Sequence, residues 1–186
     1  MSYPLRARPL RCLWMRLERS VNGAIAGTLA AAAWAAVQPL DKQLFGSAYD
    51  DVELLGKAVT RERWWPAAGL GLHLANGAAF GALYALGRPF IPGPAATRGP
   101  LAALAENFAS WPLTALTDRY HPARGELPQL SGDARALAQA TLRHALFGFV
   151  MGEVERQLNS EHDDEPPPVP VSSNGHGNIE AAVGAA

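Results

Sequence analysis

Cysteine is almost missing from this chain: its 186 residues hold one, Cys12. That excludes an internal disulfide framework and a cysteine-rich metal site. A charge excess of either sign is missing too. The formal net charge is −1, so no overall electrostatic bias points to nucleic acid. No stretch alternates apolar and polar residues at period two, which removes the usual signature of β-strands. Gly-x-Ser-x-Gly, His-Glu-x-x-His, the P-loop and a Gly-x-Gly-x-x-Gly turn between strand and helix are all absent, and with them the common catalytic and nucleotide-binding motifs. No histidine–carboxylate spacing is close enough to suggest a metal. The expectation is a non-enzyme without cofactor or metal.

The charge that is present is segregated. Residues 1–20 carry Arg6, Arg8, Arg11, Arg16 and Arg19 against Glu18 alone. Residues 160–186 carry Glu161, Asp163, Asp164, Glu165 and Glu180 with no Lys or Arg. Between the ends lie four stretches with few charges: residues 21–38, 66–87, 100–117 and 136–152. Each reaches the roughly 17 residues that mark the lower limit for crossing a bilayer. The mean hydropathy of −0.03 averages these stretches with the polar ends and conceals them.

The pattern therefore predicts an all-α chain, a four-helix transmembrane bundle spanning residues 21–158. A basic arm (1–20) precedes it and a disordered acidic tail (159–186) follows. The arm carries Leu10, Leu13, Trp14 and Leu17 and reads as a short surface helix. Pro66 sits where a helix's first turn would be, with Trp64 and Trp65 before it as an interfacial anchor. "GRPFIPGPAATRGP" (88–100 with Gly87) reads as a loop and "DRYHPARGELPQLSGD" (118–133) as the next break, Asp133 capping the fourth helix. Cys12 reads as a packing residue or, beside a basic segment, a lipidation site. Two other readings compete. A soluble all-α bundle would need wide charged helix faces, yet in residues 66–87 only His73 and Asn76 are more polar than tyrosine. A signal peptide ending near "AAAWAA" would still leave three apolar segments.

Topology follows from Lys and Arg near the spans. With the N-terminus inside, the inner segments hold five, two and one (1–20, 88–99, 153–186) and the outer ones four and three (41–65, 118–135). The arginine density of the arm decides, and places both termini in the cytoplasm.

A motif occurs twice. Trp34 with Asp41 and Lys42 matches Trp111 with Asp118 and Arg119, offset by 77 residues. Gly69/His73/Gly77/Gly81 matches Ala140/His144/Gly148/Gly152, offset by 71. The chain thus reads as two helical hairpins in parallel repeat. Residues four apart share a helix face, so these stripes, with Gly23, Gly27 and Ala31 in the first segment, form grooves for close helix approach in lipid. Leucine at Gly77 or Gly148 should then block packing, and alanine should be tolerated.

Ionisable groups inside a bilayer are costly and point to function. His73 and His144 lie inside their segments; in antiparallel hairpins His73 meets Trp34, and His144 meets residues 108–111. Each imidazole can instead bond a carbonyl or lie against a tryptophan. Glu106, with Asn107 beside it and Ser110, Thr114 and Thr117 on its face, needs a partner or a proton. Arg143 is expected to supply it, either as a clip between helices or as part of an ion pathway. Leu29 occupies the place of Glu106 in the first repeat. Glu153 and Glu155 are expected at the membrane exit.

With the segments placed, "AIAGTLAAAAWAAVQPL", "HLANGAAFGALYAL", "FASWPLTALT" and "RHALFGFVMGEVERQL" resemble the YagU-like family of small bacterial inner-membrane proteins, over residues 21–158. The first loop is shorter than the family's. The resemblance implies an inner-membrane location, a role linked to acid tolerance and no established catalytic residue. The leading expectation is a non-enzymatic multi-pass membrane protein, an interaction subunit or an element of envelope homeostasis. Its partners would be the lipid bilayer and a second copy or another membrane protein, with no nucleic acid. The alternative is a small proton or ion conduit through Glu106, Arg143, His73 and His144, which would call for an oligomer.

Overall fold

The structure, a computed structural model, describes residues 8–160, with side chains from residue 13 onward. The acidic tail beyond residue 160 and the Cys12 side chain lie outside the described residues. The chain is all-helical, with no strand among the described residues. Helix α1 runs Arg8–Phe45, α2 Asp51–Val59, α3 Trp65–Gly87, α4 Ala95–Ser110, α5 Thr114–Tyr120 and α6 Ala134–Leu158. Short 3-10 turns at Arg88–Phe90 and Trp111–Leu113 follow α3 and α4.

Local chemistry explains most of these limits. Pro66 stands in the first turn of α3, where its missing N–H would have had no partner. Asp133 caps α6, accepting from the Arg135 and Ala136 amides. Asp50 caps α2 by accepting from the Glu53 amide, with acids in the first turn and Lys57 in the last, as the helix dipole favours. Three sequence expectations are corrected. Residues 8–20 are the opening turns of α1 and not a separate helix: Pro9 stands in the first turn, where its missing N–H costs nothing, and no Gly or Pro follows until Gly23. The second loop is shorter than expected, since α4 starts at Ala95 and passes through Pro100 in its first turns. The third segment is not one helix. Pro112 has no N–H and crowds the preceding turn, so α4 stops at Ser110 and resumes as α5 after a 3-10 turn.

The close pairings run α3–α1–α6–α4, with α2 laid against α3. Asn22 Nδ2 donates to Asn159 Oδ1 at 2.9 Å, so the start of α1 and the end of α6 share one end of the bundle. Glycine contacts set the spacing. A methyl group on Gly77 would lie 2.6 Å from the Gly27 carbonyl oxygen, and one on Gly148 would lie 2.7 Å from the Pro100 Cα. Gly23 and Gly81 face each other in the same way. Gly69 does not face α1: it meets Val52 and Gly56 of α2. Gly152 packs on Gly99 more loosely, with 3.1 Å from an added methyl to the nearest atom.

These contacts also revise the repeat. Gly27 sits between Gly77 and Gly81, and Gly99 sits between Gly148 and Gly152. The first helices of the two hairpins are therefore related by an offset of 72, close to the 71 of the second helices. Trp34, and not Leu29, then occupies the place of Glu106. Trp111 matches Trp34 in letters only.

Beside an apolar core of Ala26, Ala30, Trp34, Phe147 and Met151, the bundle buries polar side chains and exposes large apolar ones. Asp41, Asp51, Asn107, Gln139, Arg143 and Glu155 are buried, while Ile25, Leu29, Leu70, Leu83, Leu142 and Phe149 are exposed. Among the described residues, one helix is long and apolar enough to cross a membrane, within Leu13–Phe45 of α1.

The glycine contacts correct the expectation for alanine. At Gly77 or Gly148 even one methyl meets backbone, so Gly77→Ala and Gly148→Ala should each destabilise by about 1–3 kcal/mol, the usual range for overpacking. Gly71, with nothing within 4 Å of an added methyl, is the control, and Gly71→Ala should be neutral or stabilising. Thermal unfolding of the three variants checks this. Equal midpoints would mean that the helices are not in backbone contact.

Candidate functional site

Arg143, 1 % exposed, is held by two carboxylates from outside its own helix. Its Nε and Nη2 bond the two oxygens of Asp41 near the end of α1, a bidentate pair. Its Nη1 donates to Asp51 Oδ2 at 2.7 Å, at the start of α2. Nη2 also reaches the Tyr49 carbonyl at 3.3 Å. Neutral donors complete the cluster. Gln139 Nε2 bonds Asp41 Oδ1 at 2.8 Å, the Tyr49 hydroxyl bonds Asp51 Oδ1, and Trp34 Nε1 bonds Asp51 Oδ2 at 3.1 Å. Two carboxyl groups thus share one guanidinium inside the bundle, and these donors occupy their remaining positions.

A cavity of about 250 Å³ adjoins the cluster, reached by Asp51, His73, Asn76, Glu106, Ser110 and His144. It lies between α3 and α4, the outer members of the row of helices, with α2 on one side. Trp34 stands between the two histidines, its ring centroid 5.2 Å from His73 and 4.8 Å from His144, both edge-on. His73 Nε2 lies 3.1 Å from the Ala31 carbonyl oxygen and must donate to it, which leaves Nδ1 as its basic position.

His144 is constrained on both sides. Its Nδ1 lies 2.8 Å from the Ala140 carbonyl oxygen and its Nε2 lies 3.0 Å from Glu106 Oε2. A carbonyl only accepts, so Nδ1 carries a proton. The second contact then needs a proton as well, either on Nε2 or on the Glu106 carboxyl. His144 therefore bridges a backbone carbonyl and the Glu106 carboxyl. The Glu106 side chain is 43 % exposed and that of His144 is 16 %, so this contact sits at the mouth of the cavity.

The expected Glu106–Arg143 pair does not form. The two residues sit on adjoining helices, but Arg143 points toward the end of α1 and Glu106 toward His144. Asn107 faces α6, donating to Thr141 Oγ1 at 3.2 Å. Glu153 lies at the surface with Arg156 and Gln157, whereas Glu155 is buried and bonded to Arg88 at 2.7 Å and Asn159 at 2.9 Å. Asp41, Tyr49, Asp51 and Gln139 escaped the sequence reading. Asp41, the first charge after the uncharged run, is expected in the outer segment 41–65, but α1 continues to Phe45 and carries it inside. Asp51 belongs to a short helix outside all four apolar segments; the Asp-Asp pair at 50–51, one acid capping and one facing in, was its available signal.

Outside the apolar segments, polar ties hold α2 and the long loop. Burial raises the Asp50 carboxyl, but the bonded Lys42 ammonium and Glu53 amide outweigh it and hold Asp50 below the usual range. The hydrogen bond from Lys57 holds the Glu126 carboxyl low as well. Among the described residues, no three His, Cys, Asp or Glu side chains are grouped to hold a metal ion. No family model, curated protein or solved structure matches the chain.

The two acidic sites should respond differently to substitution. Asp41→Ala leaves Arg143 buried with half its partners and should cost about 3–5 kcal/mol. Glu106→Gln keeps shape at a half-open position and should cost under about 1 kcal/mol. Chemical unfolding of both variants tests this, and a larger loss from Glu106→Gln would contradict the assignment of partners.

Proposed function

We propose that the chain is a non-enzymatic, four-span protein of the bacterial inner membrane whose cavity binds and releases protons. The observation that carries the membrane part is the inverted surface. On α1 the stretch between Arg19 and Lys42 has one charge, the buried Asp41, over about 33 Å at 1.5 Å per residue. All 23 residues of α3 are uncharged, about 34 Å of helix. On α6 the charges between Arg135 and Glu153 reduce to the buried Arg143, over about 26 Å. These lengths match a hydrocarbon core of about 30 Å. The polar and small residues of α3, His73, Asn76 and its glycines, are turned to neighbouring helices or half-hidden except at Gly71 and Asn76. The shared end of α1 and α6 fits both termini on the cytoplasmic side, and the YagU-like resemblance fits the inner membrane.

The His144–Glu106 pair carries the proton part. It sets an imidazole beside a carboxyl at the cavity mouth, with a second imidazole, His73, across the Trp34 ring. A purely structural interaction subunit has no need of this pair.

Two measurements test the proposal. The chain should remain with membranes after an alkaline carbonate wash, and recovery as a soluble monomer would overturn the four spans. In liposomes with a pH gradient, the wild-type chain should collapse the gradient, and Glu106→Gln should abolish the flux while accumulating normally. Liposomes as proton-tight as empty ones would leave the interaction subunit as the better reading.

A further inference from the structure

At the end of the bundle opposite α2, the first turns of α1 and the turn after α3 enclose an exposed groove of about 620 Å³. Arg16, Arg19 and Ser20 supply its polar side, and Leu13, Leu17 and Phe90 its apolar side. The apolar residues are not covered by the fold: Leu13 is 64 % exposed, Leu17 54 % and Phe90 86 %. We propose that this groove binds an anionic phospholipid, with the phosphate on Arg16 and the acyl chains along the leucines and Phe90. The proposal rests on the four-span reading.

Three observations select this occupant. The first is depth. Arg19 is the last charge before the uncharged length of α1, and Phe90 follows the end of α3. Both walls of the groove therefore stand at the boundary between headgroups and hydrocarbon. The second is charge. Residues 1–20 hold five arginines against Glu18, and guanidinium pairs with phosphate through two parallel hydrogen bonds. A second copy of the chain would bring its own arginines to the groove and be repelled. The third is the pairing of a cationic side with an apolar side. A soluble anion would gain nothing from Leu13, Leu17 and Phe90, whereas a phospholipid presents both kinds of surface within one molecule.

The test uses the full chain in phosphatidylcholine nanodiscs with and without phosphatidylglycerol, read by native mass spectrometry for retained lipid and by thermal midpoint. Phosphatidylglycerol should be retained preferentially and should raise the midpoint. Arg16→Gln, at an exposed position, should weaken retention about 5-fold, the weight of one cation at an anionic surface. Arg61→Gln with Arg63→Gln, at the far end of the bundle, should change nothing. Equal retention in the Arg16 variant and wild type would overturn the proposal, as would inorganic phosphate reproducing the whole shift in phosphatidylcholine discs. Failure of the chain to enter nanodiscs would overturn the four spans along with it. Entry without a phosphatidylglycerol preference would overturn the groove alone.

Discussion

Everything inside this bundle is arranged around one guanidinium. Arg143 comes from the middle of α6, where leaving it unpaired would cost more than most single contacts return. Its partners arrive from two other elements, Asp41 from α1 and Asp51 from α2. The ion cluster therefore joins three helices beside the apolar contacts of Tyr49, Leu54, Ala136 and Ala140. Each carboxylate is further bonded by neutral donors, Gln139 on one and Trp34 and Tyr49 on the other. That saturation is what makes a buried charge tolerable. The cluster also borders the cavity through Asp51. The cavity histidines lie on its open side, joined to Asp51 through the Trp34 indole.

Glycine does for the other half of the bundle what the ions do for this half. Below the level of Trp34, α1 meets α3 and α4 meets α6 with backbone against backbone. Small residues allow that approach and maximise dispersion contact between the helices. The same contacts fix how deep each histidine sits opposite its partner helix. A shift of one residue along the Gly27–Gly77 contact would turn His73 away from Trp34. Packing in the glycine half thus positions chemistry in the polar half.

Much of this was legible in the residues. The caps at Pro66 and Asp133, the antiparallel hairpins and the meeting of His73 with Trp34 all follow from local chemistry and helical spacing. So does the role of Gly77 and Gly148 as contact positions. What failed was pairing at a distance. Glu106 and Arg143 were matched by depth alone, and depth ignores the direction in which a side chain leaves its helix. With α1 carried through Pro39 and α2 folded back onto α3, two acids reach Arg143 first. The register of the repeat failed for a related reason: matching tryptophans and aspartates outweighed the glycines in the letters, although backbone contact decides which residues are equivalent in space.

The surface carries the central claim, since proton binding and lipid binding both presuppose it. Spin labels attached singly at positions 29, 83 and 149, in a Cys12→Ser background, would report it directly. Leu29, Leu83 and Phe149 are exposed on three different helices. In reconstituted bilayers these sites should be open to dissolved oxygen and closed to a water-soluble nickel chelate, with the reverse at position 62. Nickel access at 29, 83 and 149 equal to that at 62 would contradict a lipid-facing exterior.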